Sequence, residues 1–120
     1  MRNKVLIVDD DDAIIDSIKV LLEMEGYEVS TIVSGDVLGQ IDKNIPNLIL
    51  LDIWMSGQDG RDICRSLKKN DDTKDIPVIM ISAGKNIAKS AQDAGAQDFI
   101  AKPFEIEELL TKVKKYIAAK

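Results

Sequence analysis

The stretch "VLIVDDDDAI" (residues 5–14) sets an apolar run directly against four consecutive aspartates, Asp9 to Asp12. A short aliphatic run that ends in charge is typical of a strand buried on both faces of a parallel sheet. Like charges repel, so acids at the end of a buried strand need either solvent or a positive partner. The stretch therefore predicts a central strand whose carboxyl end is either a solvated surface or part of a functional site.

Four further aliphatic runs follow the first, and each is separated from the next by a helical pattern. The predicted strands are residues 4–8, 28–33, 47–51, 77–81 and 97–101. Helical periodicity is present in residues 12–25, 35–44, 60–69, 85–94 and 105–118. This alternation predicts an α/β fold, in which a parallel sheet with right-handed crossovers carries helices on both faces. The second strand alternates in polarity, which indicates a position at the edge of the sheet.

The composition excludes several classes of function. The 120 residues suit one domain, and the net charge of -5 argues against nonspecific binding to nucleic acid. The absence of histidine excludes a Ser-His-Asp triad and histidine metal ligands, so a bound metal would be held by oxygen atoms. A single cysteine, Cys64, and the lack of an apolar run that could span a bilayer predict a cytoplasmic protein without a membrane segment.

Polar side chains follow four of the five predicted strands. Asp9 and Asp10 follow the first strand and Asp52 the third, while Ser82 follows the fourth and Lys102 the fifth. The carboxyl ends of parallel strands meet at one edge of the sheet, where such folds bind their ligands. We therefore expect three carboxylates, a hydroxyl and an ammonium group to converge at that edge.

A cluster of three carboxylates implies a bound cation. Two carboxylates about 5 Å apart repel by roughly 3 kcal/mol at an effective dielectric constant near 20. A site of carboxylates and water suits Mg²⁺, which in turn attracts phosphoryl groups. Lys102 and Ser82 are able to hold phosphoryl oxygens. Asp52 is the candidate nucleophile, because it is the acid on the central strand and a carboxylate accepts a phosphoryl group as an acyl phosphate.

Four sequence motifs occur in a fixed order along the chain: "LIVDD" (6–10), "LILLDIWMSGQDG" (48–60), "VIMISA" (78–83) and "AGAQDFIAKPF" (94–104). Together with the C-terminal helix, they resemble the receiver domain of two-component response regulators over essentially the whole chain. The resemblance implies one receiver domain over residues 1–120. It also implies a flavodoxin-like, CheY-like (βα)5 fold with strand order 2-1-3-4-5.

The resemblance assigns roles to the acidic residues. It makes Asp52 the phosphoacceptor, Asp10 the direct ligand of Mg²⁺, and Asp9 an acid that acts on the metal mainly through water. Trp54 stands where the family supplies a backbone carbonyl to the metal. Asp11 and Asp12, which follow the first motif, have a simpler interpretation, because aspartates at the start of a helix cap its free N–H groups.

The resemblance also assigns a switch. Ser82 matches the hydroxyl residue that moves toward the phosphoryl group, and Phe99 matches the aromatic residue that turns inward on activation. Lys102 matches the lysine that pairs with the acids or with a phosphoryl oxygen, and the Lys102–Pro103 peptide stands where the family has a cis bond.

The implied function is a phosphoacceptor switch of a two-component system or phosphorelay. A histidine kinase or a histidine phosphotransfer protein would donate the phosphoryl group to Asp52, and the face formed by the fourth and fifth βα units would change conformation. Such a domain catalyses only its own phosphorylation and dephosphorylation and is not otherwise an enzyme. The expected state is a monomer or a phosphorylation-dependent dimer, and the downstream partner is open. The initial Met and the short tail mildly favour an independent chain.

The chain departs from the family at two places. Ser56 replaces the usual proline, and the segment from Ser82 to Lys102 is about two residues shorter. We therefore expect that the fourth helix or the loop before it is trimmed, which argues against the usual dimer through that face. Two alternatives remain open. One is a receiver-like interaction module that takes no phosphoryl group, although the intact set of five site residues argues against it. The other is an Mg²⁺-dependent phosphohydrolase, whose second acid is replaced here by Trp54.

Overall fold

The fold is a five-stranded sheet flanked by helices, and the computed structural model describes it for residues 3–33, 36–41, 45–55, 57–84 and 86–118. Its elements are β1 (Lys4–Val8), α1 (Asp12–Met24), β2 (Glu28–Ile32), α2 (Val37–Ile41), β3 (Leu48–Asp52), β4 (Trp54–Met55), β5 (Gln58–Asp59), α3 (Gly60–Lys69), β6 (Val78–Ser82), α4 (Ile87–Ala94), β7 (Asp98–Ala101) and α5 (Ile106–Ala118). The predicted strands and helices are present, and most of their ends agree with the predicted ends to within one residue. Parts of the predicted helix 35–44 lie outside the described residues, as does residue 85.

The sheet is parallel and has the strand order β2-β1-β3-β6-β7. With the two short strands set aside, this is the predicted order 2-1-3-4-5, so the predicted fold is confirmed. The central strands β3 and β6 are buried along their whole length, because helices cover both of their faces. β2 lies at the edge of the sheet and is largely exposed, as its alternating pattern predicted.

Helices on the two faces of the sheet create two separate cores. α1 and α5 pack against one face through residues such as Ile18 and Val113. α2, α3 and α4 pack against the other face through residues such as Leu67 and Ala91. Cys64 is buried in this second core. Within the described residues, no helix has the length and apolar character needed to cross a bilayer.

A short antiparallel hairpin, which the sequence did not predict, follows β3 directly. β4 pairs with β5, so that Trp54 lies opposite Asp59, and Gly57 in the turn has a positive φ of 75°. Asp59 also caps α3, because its carboxylate accepts a hydrogen bond of 2.9 Å from the N–H of Arg61. Strands of two residues give no periodic signal. Ser56, the residue that replaces the usual proline, lies outside the described part of the chain.

The first residue of α3 packs against the end of β3. The Gly60 N–H donates to the carbonyl of Ile53 at 2.7 Å. A Cβ atom at residue 60 would collide with the carbonyl oxygen of Asp52 and with the Cα of Ile53. Both of those neighbours are backbone atoms of a buried segment and have little freedom to move. The position of Asp52 therefore depends on the absence of a side chain at residue 60.

We expect Gly60→Ala to lower the free energy of unfolding by about 1–3 kcal/mol, because the added methyl group overpacks the end of β3. Urea denaturation followed by circular dichroism measures this change. Gly39→Ala is the matched control. Its added Cβ would meet only the flexible side chain of Asp36, and alanine favours the helix by about 0.5–1 kcal/mol. Equal effects of the two substitutions would contradict the proposed close contact.

Candidate functional site

The predicted acidic residues meet at the carboxyl edge of the sheet. β1 and β3 are neighbours in register, with Val8 opposite Leu51, so the residues after them lie side by side. One carboxylate oxygen from each of Asp9, Asp10 and Asp52 lies within 4.8 Å of the other two. Asp9 and Asp52 are buried, with 2% and 6% of their surface exposed, whereas Asp10 is exposed at the rim. The structure thus brings together the three acids that the sequence singled out.

Lys102 extends its ammonium group between the two buried acids. Its Nζ lies 3.5 Å from Oδ2 of Asp9 and 3.6 Å from Oδ1 of Asp52, and only 18% of its side chain is exposed. The Lys102–Pro103 peptide is cis, which confirms that prediction. The N–H of Lys102 also donates to the carbonyl of Ser82 at 2.8 Å. One residue therefore joins the acidic group to the end of β6 through both its side chain and its backbone.

Asp52 is held in an environment that disfavours its charge. Burial is the main cause, the nearby Asp9 carboxylate adds to it, and together they raise the pKa of Asp52 to about 6. Lys102 opposes this rise, as does a backbone hydrogen bond from Trp54. The carboxylate is consequently ionised at neutral pH but incompletely compensated. A second cation or a proton would relieve the remaining repulsion.

The four consecutive aspartates divide into two groups with different tasks. The Asp9 carboxylate faces the site and accepts a hydrogen bond of 3.0 Å from the N–H of Asp11, which fixes its orientation. Asp11 itself caps α1, because its Oδ1 accepts from the N–H groups of Ala13 and Ile14 at 3.1 and 3.3 Å. The prediction that the later acids of this run begin the helix is therefore confirmed. The aspartates at this strand end therefore contribute both to the acidic site, through Asp9, and to the N-terminal cap of α1, through Asp11.

Ser82 completes the inner wall of the site. Its side chain is almost fully buried, and its Oγ accepts a hydrogen bond of 3.0 Å from the N–H of Gly84. The hydroxyl proton is a donor for another acceptor. In the register of the sheet, Ser82 is opposite Ala101 and Met80 is opposite Phe99. Side chains two residues apart share a face, so Ser82 and Phe99 lie on the same face of the sheet.

The acidic group fits a hard divalent cation. Its donors are carboxylate oxygens, which are the ligands that Mg²⁺ prefers, and the exposed Asp10 leaves the outer side accessible to water. The excess of negative over positive charge, with Lys102 as the neighbouring cation, points to the same conclusion. That the Trp54 backbone carbonyl is a further metal ligand stays a prediction.

Trp54 and Arg61 form an aromatic cover next to the site. The sequence indicates a half-exposed Trp54 at this place, but not its stacking with Arg61. Trp54 is 58% exposed, and the Arg61 guanidinium stacks on its ring at 4.7 Å from the centroid. Arg61 is itself fixed by Asp59, with N–O distances from 2.6 to 3.1 Å. On the other side, a Cβ at Gly84 would lie 3.0 Å from the Trp54 indole nitrogen. The ring therefore extends from Arg61 to the turn that follows Ser82.

The sequence profile of the response regulator receiver domain matches residues 5–114. This chain belongs to the response regulator receiver domains. Members of this family are the phosphoacceptor switches of two-component systems, they bind Mg²⁺ at an acidic pocket, and histidine kinases phosphorylate them. The acidic group at the end of β1 and β3 is where this receiver has carboxylates that could hold a metal.

Similar proteins support the assignment to the receivers. The DNA-binding dual master transcriptional regulator RpaA of Synechocystis is 41% identical over 92% of this chain, which covers 47% of that protein. The response regulator PleD of Caulobacter vibrioides is 37% identical over 95% of this chain and 26% of its own length. The chain thus spans half the length or less of these two relatives.

Solved structures have the same fold as this receiver. A putative response regulator from Chloroflexus aurantiacus superimposes with a TM-score of 0.91 at 37% identity, covering 98% of this chain and 99% of the other. A CheY-like receiver domain protein from Methanospirillum hungatei gives a TM-score of 0.90 at 33% identity, with 99% and 96% covered. The CheY-like fold is therefore confirmed by comparison as well as by topology.

We expect Asp52→Asn to stabilise the metal-free receiver above pH 6. The pKa of Asp52 is higher in the folded chain than the ordinary value of 3.8, so ionising this residue costs stability as the pH rises from about 4 to about 6. The amide removes that cost, which is about 2–3 kcal/mol at pH 8 and about half as much at pH 5. Urea denaturation in the presence of a chelator measures both values.

Asp93→Asn is the control for this prediction, because Asp93 is an exposed aspartate on α4. It removes the same charge without changing the site, so we expect a change within about 0.5 kcal/mol at either pH. An Asp52→Asn variant that is no more stable than the wild type at pH 8 would contradict the conclusion that burial and Asp9 disfavour the charge on Asp52.

Proposed function

We propose that Asp52 accepts a phosphoryl group from the phosphohistidine of a histidine kinase or a histidine phosphotransfer protein, with Mg²⁺ bound by Asp9, Asp10 and Asp52. The observation that supports this most strongly is the geometry of Asp52. Its buried carboxylate lies next to two further acids and within 3.6 Å of the Lys102 ammonium. No histidine occurs in these 120 residues, so the proposed phosphohistidine lies outside them, and a small acyl phosphate is an alternative donor.

In the proposed transfer, a carboxylate oxygen of Asp52 attacks the phosphorus atom. The bond between phosphorus and the donor nitrogen breaks, and the leaving imidazole takes a proton from solvent, which leaves an acyl phosphate on Asp52. Mg²⁺, when bound, supplies positive charge that offsets the charge on the phosphoryl oxygens. The attack requires an ionised Asp52, which the pKa of about 6 permits at neutral pH.

Lys102 and Ser82 respond to the change of charge. Phosphorylation removes the negative charge of the Asp52 carboxylate and adds anionic phosphoryl oxygens beyond it. The Lys102 ammonium therefore gains a new partner. The Ser82 hydroxyl already accepts from Gly84, and its proton is the group that turns toward a phosphoryl oxygen. Because Lys102 and Ser82 are joined through their backbones, the two movements are coupled. Phe99, on the same face as Ser82, is the proposed switch residue.

In this proposed role, residues 1–120 form a cytoplasmic receiver that turns over no metabolite. Its output passes to a partner protein or to an effector domain of unspecified type, and it makes no direct contact with nucleic acid. The receiver is a monomer or forms a dimer on phosphorylation. The second candidate, an interaction module that takes no phosphoryl group, has less support, because such a module does not need a buried Lys102 between Asp9 and Asp52.

A small acyl phosphate with Mg²⁺ tests the phosphoacceptor. Intact-mass spectrometry should show one added phosphoryl group on the wild type and none on Asp52→Asn. Lys102→Met should still bind Mg²⁺ but accumulate less than about a tenth of the product, since one charge-assisted contact to the phosphoryl group is lost. Lys114→Met, which changes an exposed lysine of α5 paired with Glu25, is the control. A wild type that takes up no phosphoryl group and no beryllofluoride would refute the proposal.

The aromatic cover predicts a long-lived phosphoryl group. We expect Trp54→Asn to speed the loss of phosphate by about three- to tenfold, because water reaches the phosphorus more easily, which is about 1 kcal/mol of barrier. Trp54→Phe keeps an aromatic ring and should change the rate less. Arg61→Met removes the cation that stacks on the ring, and its rate of phosphate loss should lie between those of Trp54→Asn and Trp54→Phe. The decay of the phosphorylated wild type and variants after donor removal is followed by mass spectrometry. Equal rates for all four proteins would disprove this role of Trp54.

A further inference from the structure

Lys112 on α5 places its positive charge against Phe99. Its Nζ lies 5.1 Å from the centroid of the Phe99 ring and donates a hydrogen bond of 2.6 Å to the Phe99 carbonyl. It also pairs with Oδ1 of Asp98 at 3.2 Å, and only 24% of its side chain is exposed. A cation over an aromatic face is attracted to it, and the attraction grows as the pair loses solvent. Lys112 therefore interacts with both the backbone and the ring of the proposed switch residue.

The Lys112 ammonium is fixed in place by a small polar network. Asp98 accepts hydrogen bonds from the Phe99 N–H at 2.8 Å, from Lys112, and from the Tyr116 hydroxyl at 2.8 Å. The Tyr116 hydroxyl also lies 3.2 Å from the carbonyl of Gln97. These contacts lower the pKa of Asp98, so the carboxylate stays charged. The cation is consequently held at a defined point relative to the start of β7.

Lys112 reaches its partner across the edge of the sheet. α5 packs against one face, through Leu109 and Val113, whereas Phe99 packs with the core on the opposite face. β7 is the edge strand between them, so no further strand obstructs the side chain. On its own face, the Phe99 ring lines a surface cavity of ≈ 340 Å³ together with alanines of α4 and the following turn. Phe99 is thus partly buried at the edge of the sheet with its ring against the cation, which we call its outward orientation.

We propose that Lys112 is a positioning residue for phosphorylation, one that holds Phe99 in its outward orientation and thereby opposes the activated state. The inference rests on the proposed function, in which Phe99 turns inward after Asp52 is modified. When the ring turns inward, it leaves the fixed ammonium, and this contact is lost. An interaction present in only one of two states shifts the equilibrium between them.

The size of this effect follows from linkage. If the ring contact favours the outward state, part of the binding free energy of a phosphoryl group is used to break this contact. The affinity for the phosphoryl group is then lower by the factor that the contact contributes to the equilibrium between the two states. The cation–ring attraction corresponds to a factor of about three to ten in an equilibrium constant. A purely structural role for Lys112 makes a different prediction, since loss of the Asp98 ion pair would lower stability without changing affinity.

Affinity for beryllofluoride in the presence of Mg²⁺ tests the inference. Beryllofluoride is a stand-in for the phosphoryl group, and the fluorescence of Trp54, the single tryptophan of the sequence, reports binding beside Asp52. We expect Lys112→Met to bind about three- to tenfold more tightly than the wild type, because the outward state loses its cation. Lys112→Arg keeps a cation and should bind like the wild type, as should Lys114→Met on the same helix.

A double-mutant cycle with Phe99→Ala identifies the ring as the partner. In the Phe99→Ala background, we expect Lys112→Met to leave the affinity unchanged, because there is no ring to hold. Circular dichroism establishes that each variant is folded, and Lys112→Gln replaces Lys112→Met if the latter is not. Unchanged affinity in folded Lys112→Met, or an equal gain in the Phe99→Ala background, would overturn the inference alone. A wild type that fails to bind would overturn the proposed function together with it.

Discussion

The structure of this receiver depends on three charged groups that are buried together: the carboxylates of Asp9 and Asp52 and the ammonium of Lys102. Each lies at the carboxyl end of a different strand, so the parallel order of the sheet is what brings them into contact. Their charges do not balance, and Asp10 at the rim increases the imbalance. A cation or a proton relieves the excess charge of such a buried group, which is why this arrangement of the strand ends suits a bound ion.

β7 connects this charged group to the opposite end of the domain. Its carboxyl end leads into Lys102, whose side chain contacts both buried acids, and its amino end begins with Asp98 and Phe99, which are tied to α5. The strand is four residues long and lies at the edge of the sheet, where one side is unpaired. A short edge strand with ionic contacts at both ends is well placed to transmit a change of charge to the surface of α4 and α5.

The sequence was sufficient for the sheet and for the charged residues, because both depend on local pattern. Continuous apolar runs identified β1, β3 and β6, and the parallel arrangement then placed the residues after them side by side. It was not sufficient for the hairpin, since strands of two residues have no period to detect. The stacking of Arg61 on Trp54 and of Lys112 on Phe99 could not be predicted either. These pairs have no characteristic spacing and depend on how elements approach each other in space.

The close approach of Gly60 to Asp52 has a consequence for how this domain is able to diverge. Because the first turn of α3 is fixed against the end of β3, the intervening hairpin must span a constant distance with a constant number of residues. Exposed side chains of the hairpin, such as Trp54, take no part in this constraint. An inserted or deleted residue would instead displace the acceptor itself. The number of residues in this segment therefore constrains the position of Asp52 independently of the side chains that the segment carries.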